Sequence, residues 1–284
     1  MVRTILYTIL ALLAFAGNSL LNRAALAEGA IDWDSFTIIR LISGALVLAI
    51  LLAPKHGRAI LPRLTDSWAI VSLFVYAAAF SFAYSGVSAG LGALILFGFV
   101  QITMNSIAIA QGHRPSALQW FGLVLAFAGL VWLLLPGLSA PPLVSAISMG
   151  AAGIAWGFYS KAGQGSKQPA VATARNFIGT LPLLLLLFFA WQPEAQYQQS
   201  GIILAVASGA VTSALGYIIW YAALPRLSTM TAGVAQLLVP SIAAFGGVLL
   251  LDEMVTNRLV GATSLIVVGI LLTLRKPKHL NKAQ

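Results

Sequence analysis

Long apolar runs joined by short polar segments are the feature that most constrains this chain. A helix of about 20 apolar residues crosses the hydrocarbon core of a bilayer, which is about 30 Å thick. The runs are continuous rather than alternating, which argues against transmembrane strands. The sequence predicts ten helical spans, at residues 4–27, 33–53, 66–88, 91–111, 116–135, 142–163, 169–190, 200–224, 227–251 and 256–274.

Composition excludes the main classes of soluble protein. The chain is 60% hydrophobic and 8% charged, whereas soluble domains carry about 25% charged residues. It therefore has too few polar groups to cover a surface that faces water. The net charge of +9 comes without a dense basic cluster, so we expect no nucleic-acid partner. Because cysteine is absent, disulfides, thiolate nucleophiles and cysteine metal sites are excluded, and we expect no cofactor.

Lys and Arg are distributed unequally between the predicted loops. If the N-terminus faces the cytoplasm, twelve of them lie in inner segments and only Arg258 lies in an outer loop. Cytoplasmic loops of membrane proteins are enriched in Lys and Arg. We therefore expect a bacterial inner-membrane protein with both termini in the cytoplasm. The inner residues are Arg3, Lys55, Arg58, Arg63, Arg114, Lys161, Lys167, Arg226, Arg275, Lys276, Lys278 and Lys282.

The two halves of the chain echo each other at an offset of about 135–139 residues. Arg40-Leu-Ile-Ser-Gly44 matches Arg175-Asn-Phe-Ile-Gly179, and Gly98-Phe-Val-Gln101 matches Gly233-Val-Ala-Gln236. We expect a first five-helix repeat over residues 1–137 and a second over 138–284. Since five spans per half is an odd number, the second repeat must be inverted. Inverted repeats are typical of secondary transporters, whose site lies at the midplane between the halves.

Several motifs resemble a known family, the EamA-like members of the drug/metabolite transporter superfamily. Its best-known bacterial relatives are YddG-type exporters of amino acids. The resemblance implies ten helices in two inverted repeats, with helices one, three, four, six, eight and nine around a central cavity. It is carried by Asn18-Ser19, Arg23, Arg40, Phe99-Val-Gln-Ile-Thr103, Gly112-His-Arg-Pro-Ser116, Gly122, Ala223-Leu-Pro-Arg-Leu-Ser228, Gln236, Pro240, Asp252-Glu253, Gly261 and Gly269. One departure is His113-Arg114, where the family often has an acidic residue after helix four.

Amide side chains inside the predicted helices are the polar candidates for a substrate site. A polar group in hydrocarbon is unfavourable unless it meets a partner or water. Amides both donate and accept hydrogen bonds, which suits the amino and carboxyl groups of a zwitterion. The sequence leaves open that amides only hold helices together. The candidates, with one ring on the same face of helix four, are Asn18, Asn22, Phe97, Gln101, Asn105 and Gln236.

Aromatic side chains form the second set of candidates. Walls of rings with a few polar groups suit an amphipathic small molecule. The alternative is that these rings face lipid or form an interfacial belt. The set is Tyr76, Phe80 and Tyr84 on helix three, Trp156 and Tyr159 on helix six, and Tyr217 and Trp220 on helix eight.

Small residues and one proline are the candidate hinges. Gly98, Gly157 and Gly233 allow close helix approach in helices four, six and nine. Pro240 removes a backbone hydrogen bond and should kink helix nine. Glycine and proline are also ordinary in transmembrane helices, so the sequence leaves both interpretations open.

Two arginines lie deep in predicted spans. Arg40 and Arg175 are about 9–10 Å inside opposite ends of helices two and seven, at a rise of 1.5 Å per residue. No carboxylate lies deep in any predicted span, so each should use carbonyls, outer-loop acids, water or a substrate carboxylate. Because these helices are peripheral in the family that the chain resembles, a structural role is favoured over binding.

The sequence thus favours a carrier that exports small amphipathic metabolites, with amino acids as the expected substrates, by alternating access. We expect contact with membrane lipids and a monomer, with a dimer as the alternative. Other substrates, such as a nucleotide sugar or a drug, and a scaffold subunit that does not transport, stay open. An enzyme is not expected, because His-Glu-x-x-His metal spacing is absent. No Asp, Glu or His lies mid-span, so we expect no side-chain proton relay.

Overall fold

The computed structural model describes residues 2–27, 29–87, 89–112, 114–134, 142–191, 197–243 and 257–274. Each of the ten apolar runs contains a helix. The helices are α1 (Val2–Ala27), α2 (Trp33–His56), α3 (Ser67–Tyr84), α4 (Ala89–Ala110), α5 (Ala117–Leu134), α6 (Leu143–Gln164), α7 (Pro169–Trp191), α8 (Gln199–Ala207, Ser208–Leu215 and Gly216–Ala223 in one continuous rod), α9 (Thr229–Gln236) and α10 (Asn257–Leu274). Short 3₁₀ turns cover Gly57–Ile60, Leu64–Asp66 and Leu224–Arg226.

Six helical stretches are long and apolar enough to cross a membrane. They are Val2–Leu26, Trp33–Ile60, Leu64–Tyr84, Leu143–Gln164, Pro169–Phe189 and Gln199–Arg226. Four shorter apolar helices accompany them, at Ile95–Ala110, Ala117–Gly129, Thr229–Ala243 and Val260–Thr273. Within the described ranges the only β-pairing is an isolated bridge between Ile31 and Tyr197. The chain is therefore an all-helical, multi-pass membrane protein.

Polarity is distributed in the way that lipid demands. Large apolar side chains cover the outside of the bundle, for example Leu186 and Phe189 of α7, which are 67% and 74% exposed. Amides such as Asn22 and Gln236 are fully buried instead. Apolar faces need no shielding from hydrocarbon, whereas polar groups need partners inside the protein. The burial pattern therefore supports the membrane assignment independently of helix length.

Glycines bring α5 and α10 into backbone contact. A Cβ added to Gly122 would lie 2.7 Å from the Gly269 carbonyl, and one added to Gly129 would lie 3.0 Å from the Ala262 carbonyl. The N-terminal part of α5 thus faces the C-terminal part of α10, so the two helices run antiparallel. Small residues permit this approach, and packing then holds the helices together in lipid.

Two further glycines place α2 against the second half of the chain. Gly44 receives the ring of Phe177 from α7, and Gly209 of α8 lies against the Arg40 carbonyl so closely that any Cβ would clash. Side chains on the inner face of α2 are consequently directed between α3, α7 and α8. This contact, which the sequence did not predict, carries Arg40 into the bundle.

Two helices depart from regular α geometry. In α8 the segment Ser208–Leu215 is π-helical, a rare geometry that often occurs at functional sites. Ser228 caps the N-terminus of α9, because its Oγ accepts the Thr231 N–H at 3.1 Å. It is interrupted at residues 237–238, just before Pro240, and resumes to residue 243. Proline cannot donate to the carbonyl four residues back, so the break lies where the sequence predicted a kink.

The predicted hinge glycines fall into two kinds. A Cβ at Gly157 would lie 2.7 Å from Thr103 Cγ2, and one at Gly233 would lie 2.6 Å from Gln101 Oε1. Both are therefore close-packing positions between helices. At Gly98 the nearest atom is a Phe127 carbon at 3.5 Å, an ordinary contact distance. Motion at any of these positions stays a prediction.

Arg175 pairs with an inner-loop acid, which was not among the partners that the sequence analysis expected for it. Its Nε lies 3.0 Å from Asp66 Oδ2. Asp66 ends the 3₁₀ turn before α3, where it also accepts the Arg63 backbone N–H at 3.0 Å. This turn folds back toward the start of α7, which sequence separation conceals. His113, Asp252, Glu253 and the basic tail from residue 275 lie outside the described residues.

Candidate functional site

Aromatic rings from four helices meet at the centre of the bundle. Trp156 of α6 lies 4.7 Å from Tyr76 of α3 and 4.8 Å from Tyr217 of α8, measured between ring centroids. Phe15 of α1 packs edge-on against Trp156 at 5.1 Å. All four side chains are at least nine-tenths buried. We call these four rings the aromatic cluster. They pack against one another, so a ligand that enters between them has to separate them.

Further predicted rings extend this cluster in two directions. On α3, Phe80 lies 5.3 Å from Tyr76, and Tyr84 lies 4.7 Å from Phe80. Trp220 of α8 packs on Phe15 at 5.6 Å, and its indole N–H donates to Ser160 Oγ at 3.1 Å. The periodic rings of α3 therefore face the interior of the bundle. The alternative that they face lipid is wrong for this helix.

The amides of α1 hold α1, α3 and α8 together. Asn18 Oδ1 accepts hydrogen bonds from Ser208 Oγ at 2.6 Å and from Thr212 Oγ1 at 3.2 Å. Asn22 Nδ2 donates to the Asn18 carbonyl at 2.9 Å, and Ser81 Oγ donates to Asn22 Oδ1 at 3.4 Å. Ser208 and Thr212 belong to the π-helical segment of α8. The predicted amides thus meet hydroxyl partners that the sequence analysis had not singled out.

Gln236 of α9 joins the aromatic cluster directly. Its Oε1 accepts the Trp156 indole N–H, and its Nε2 donates to the Ala232 carbonyl at 3.0 Å. Gln101, its predicted repeat partner, lies on α4 against Gly233. Neither polar atom of the Gln101 side chain has a hydrogen-bond partner within the described residues. One of the paired glutamines is therefore satisfied, and the other retains a donor and an acceptor.

Arg40 reaches the same centre from α2. Its Nε donates to Ser213 Oγ at 3.0 Å, and its Nη2 donates to the Tyr217 hydroxyl at 2.8 Å and to the Tyr76 hydroxyl at 3.4 Å. The guanidinium carbon lies 5.3 Å from the ring centroid of Tyr76 and 5.6 Å from that of Phe80. The residue is 1% exposed. Arg40 is thus the charge nearest to the aromatic cluster in the part of the chain that the structure describes.

A column of rings connects this centre to a polar cavity. Tyr159 lies 5.5 Å from Trp156, and Tyr221 lies 4.8 Å from Tyr159. Tyr221 lines a cavity of about 480 Å³, together with Arg63, Asp66, Lys167 and Arg175 among others. The orientation predicted from the loop charges would place this cavity on the cytoplasmic side.

Polar side chains tie helix ends together beside a second cavity, of about 580 Å³. Lys161 Nζ of α6 donates to Gln111 Oε1 at 2.9 Å, to Gln164 Oε1 at 2.9 Å and to Thr229 Oγ1 at 3.3 Å. Gln164 Nε2 donates to the Leu227 carbonyl at 3.2 Å. We call this group the Lys161 cluster. It connects α4, α6 and α9 at one end of the bundle.

The structure does not bring every predicted residue into the central cluster. Phe97 is buried in the core without a ring contact to the cluster, and Asn105 makes no side-chain hydrogen bond, as far as the described residues go. Missed residues include Phe15, which lies on the face of α1 that carries Asn18 and Asn22 at helical spacing. The hydroxyls of Ser208, Thr212 and Ser213 were missed because their partners lie 173 to 194 residues away in sequence.

Chemistry other than binding finds little support in the described residues. They contain no group of three or more His, Cys, Asp or Glu that could hold a metal ion. One Gly-x-Ser-x-Gly pentapeptide spans residues 86–90, from the turn after α3 to the start of α4. A nucleophile elbow places its serine between a strand and a helix, whereas here a helix precedes it. Ser88 itself lies outside the described residues.

Comparison with known proteins gives the family. The model of the EamA-like transporter family matches residues 143–275. The chain belongs to this family. An uncharacterised protein of Pseudomonas aeruginosa is 47% identical over 273 residues, which cover 96% of this chain and 94% of that protein. The threonine/homoserine exporter RhtA of Escherichia coli is 31% identical over 187 residues, 62% of each chain. A Salmonella typhimurium protein named as a probable amino-acid metabolite efflux pump is 28% identical over 200 residues, 65% of this chain and 67% of that one.

A solved crystal structure shares the fold. It superposes with a TM-score of 0.78 at 20% sequence identity, and the match covers 95% of this chain and 96% of that one. The named relatives are transporters. The chain is accordingly a multi-pass bacterial membrane protein of a small-molecule exporter family.

Proposed function

We propose that this protein is a secondary carrier that exports small amphipathic metabolites, with amino acids as the main class, across the bacterial inner membrane. The observation that carries the proposal is the central cluster itself. Rings, amides and one cation lie together in the middle of a lipid-embedded bundle, where polar groups are costly and usually functional. Rings suit the apolar part of an amphipathic solute, and amides suit its charged groups. One relative is named a threonine/homoserine exporter, and another is named a probable amino-acid metabolite efflux pump.

The architecture that we propose is ten transmembrane helices in two inverted five-helix repeats, residues 1–137 and 138–284. The pairing of helices supports it. A twofold operation that exchanges α1 with α6 and α3 with α8 turns the contact of α1 with α8 into that of α6 with α3, and both contacts occur. It also relates α2 to α7 and α5 to α10, and each of these pairs is in contact.

Alternating access follows from this arrangement as the proposed mechanism. The central rings belong to α1, α3, α6 and α8, so both halves contribute. Rocking one half against the other would part the rings on one side at a time. The Lys161 cluster joins α4 of the first half to α6 and α9 of the second, and its bonds would have to break for the inner side to open. The break before Pro240 and the π-helical segment of α8 are the places where backbone geometry can adjust.

Flux of defined substrates into proteoliposomes tests the proposal. The panel contains labelled threonine, phenylalanine, methionine, a nucleotide sugar and a cationic dye, each with unlabelled counterflow. We expect saturable amino-acid flux, and a fall of about tenfold or more in Trp156→Ala, because that ring contacts four others and Gln236. Trp120→Ala is the matched control, since Trp120 is 45% exposed on the lipid side.

Each outcome separates the alternatives. Flux of the dye or the nucleotide sugar alone would assign a different substrate class to the carrier. Equal loss in both tryptophan variants would move the site away from the central cluster. Absence of any flux from folded, correctly inserted protein would contradict the carrier function and favour a scaffold.

A further inference from the structure

Arg40 is a buried charge with no counterion among the residues that the structure describes. Within the described residues its side chain is hydrogen-bonded only to three hydroxyls, those of Ser213, Tyr217 and Tyr76. None of these residues carries a negative charge at neutral pH. The ring faces of Tyr76 and Phe80 offer partial compensation. A buried guanidinium that has no full negative charge beside it is destabilising, so its presence in the centre of the bundle suggests a function.

The hydrogen-bonding capacity of Arg40 is only partly used. A guanidinium has five N–H donors, one on Nε and two on each Nη. Nε and Nη2 have partners, whereas Nη1 is buried with no protein partner among the described residues. Both donors on Nη1 are therefore available. They point in different directions from one nitrogen, so a carboxylate oxygen can accept either of them in a charge-assisted hydrogen bond.

The repeat-related arginine shows the contrast. Arg175 occupies the matching position in α7, and its Nε lies 3.0 Å from Asp66 Oδ2. Arg175 thus has an acid from the chain, and Arg40 has none in the described part of it. Helix α2 has a buried acid of its own, Asp34. It lies six residues before Arg40, which is about 9 Å along a helix axis. The two arginines are therefore alike in sequence position and different in charge balance.

Arg40 also adjoins the central cluster. The two tyrosines that accept its Nη2 bonds are the same residues whose rings lie against Trp156. Its Nε partner, Ser213, belongs to the π-helical segment of α8. A solute lodged against Trp156 would lie one ring away from the guanidinium.

We propose that Arg40 is the anion-recognition residue of the transport site and binds a carboxylate of the solute through a hydrogen bond from Nη1. The inference rests on the proposed function and narrows it to carboxylate-bearing solutes whose apolar part packs on the rings of Tyr76, Trp156 and Tyr217. Cationic drugs without a carboxylate are then poor substrates. An arginine that only tied helices together would show no preference between an acid and its neutral amide.

Binding of a matched acid and amide to the purified full-length protein in nanodiscs tests the inference. The ligands are 3-phenylpropionate and 3-phenylpropionamide, which differ only at the carboxylate, and the readouts are calorimetric affinity and thermal stabilisation. We expect the acid to bind about tenfold more tightly than the amide. Arg40→Gln should abolish the preference. Arg40→Lys should keep only part of it, because a lysine ammonium keeps the charge but has only three donors, too few for the three hydroxyls and a carboxylate. Arg175→Gln is the control and should retain the full preference.

Three results would overturn the inference. One is that the native protein binds acid and amide equally, or binds neither. Another is that Arg40→Gln keeps the preference. The third is that Arg175→Gln removes it, which would assign the anion to the polar cavity beside Asp66 and Lys167. If Arg40→Gln does not fold, the native comparison together with Arg40→Lys decides. Failure of the proposed function has a separate signature, since it is the absence of amino-acid flux in the proteoliposome panel.

Discussion

At the scale of single residues, the pair formed by Trp156 and Gln236 links the two kinds of candidate in one contact. The indole N–H donates to the glutamine carbonyl, and both side chains are buried. A hydrogen bond between helices in a membrane contributes about 0.6–2 kcal/mol. Leaving one partner buried without the other costs more than removing both.

A double-mutant cycle measures this contact. We expect Trp156→Phe and Gln236→Leu each to lower the unfolding free energy in detergent. The double variant should lose less than the sum of the two, by about 0.6–2 kcal/mol. Trp156→Phe combined with Trp120→Phe is the control pair, and its effects should add. Additive losses for the first pair would show that the hydrogen bond contributes nothing to stability.

At the scale of helices, close backbone approach decides which glycines are indispensable. Gly209 lies on the π-helical segment of α8 against the Arg40 carbonyl, and an added Cβ would clash with backbone. Gly17 of α1 faces the same segment, but a Cβ there would lie 3.5 Å from Thr212 Cγ2. The two glycines differ in packing although both lie in apolar runs.

Gly209→Ala and Gly17→Ala form a matched pair. Overpacking costs about 1–3 kcal/mol, so Gly209→Ala should lower the thermal unfolding midpoint by several degrees. Gly17→Ala should leave it unchanged or raise it slightly, since alanine favours the helix. Thermal unfolding of both variants in one detergent is the measurement. Equal behaviour of the two would contradict the close contact of α2 with α8.

The Lys161 cluster holds the ends of three helices together by hydrogen bonds. Lys161→Met keeps the length of the side chain and removes its three donors. We expect the ends of α4, α6 and α9 to separate more often, by a factor of about 5–30 for a loss of 1–2 kcal/mol. A cysteine at the buried Ser160, labelled by an impermeant thiol reagent, reports this opening. Lys167→Met is the control, because Lys167 is exposed and lies outside the cluster. Unchanged labelling in Lys161→Met would remove the cluster from the gating mechanism.

At the scale of the whole molecule, orientation is the property that the charges of the loops predict. Gln168 immediately precedes α7, and Gln199 is the first residue of α8. Both are exposed, and α7 lies between them, so they should face opposite sides of the membrane. The chain has no cysteine, so a single one can be introduced without background. In whole cells an impermeant reagent should label Gln199→Cys. It should label Gln168→Cys only after the inner membrane is permeabilised. The reverse pattern would invert the orientation.

Much of the architecture could be predicted because lipid imposes simple demands on sequence. Each span must be apolar and helical, so the ten runs mark where helices occur. Periodic rings such as Tyr76, Phe80 and Tyr84 indicated one face of α3, and that face is buried. Helical spacing also placed Asn18 and Asn22 on one side of α1. These are local properties, which a sequence states directly.

Partners across the bundle could not be predicted, because they depend on how the helices pack. Asp66 reaches Arg175 through a turn, and Ser208 reaches Asn18 across 190 residues. The break in α9 at residues 237–238 was predicted from Pro240. The π-helical segment of α8 contains no proline, so the sequence did not predict its geometry. The sequence by itself determined a lipid-embedded helical bundle and the residue types at its centre. Only tertiary packing decided that Arg175 has an acidic partner, whereas Arg40 lies among rings and hydroxyls with no acid beside it in the described part of the chain. Charge balance depends on distances between helices, which the sequence does not state.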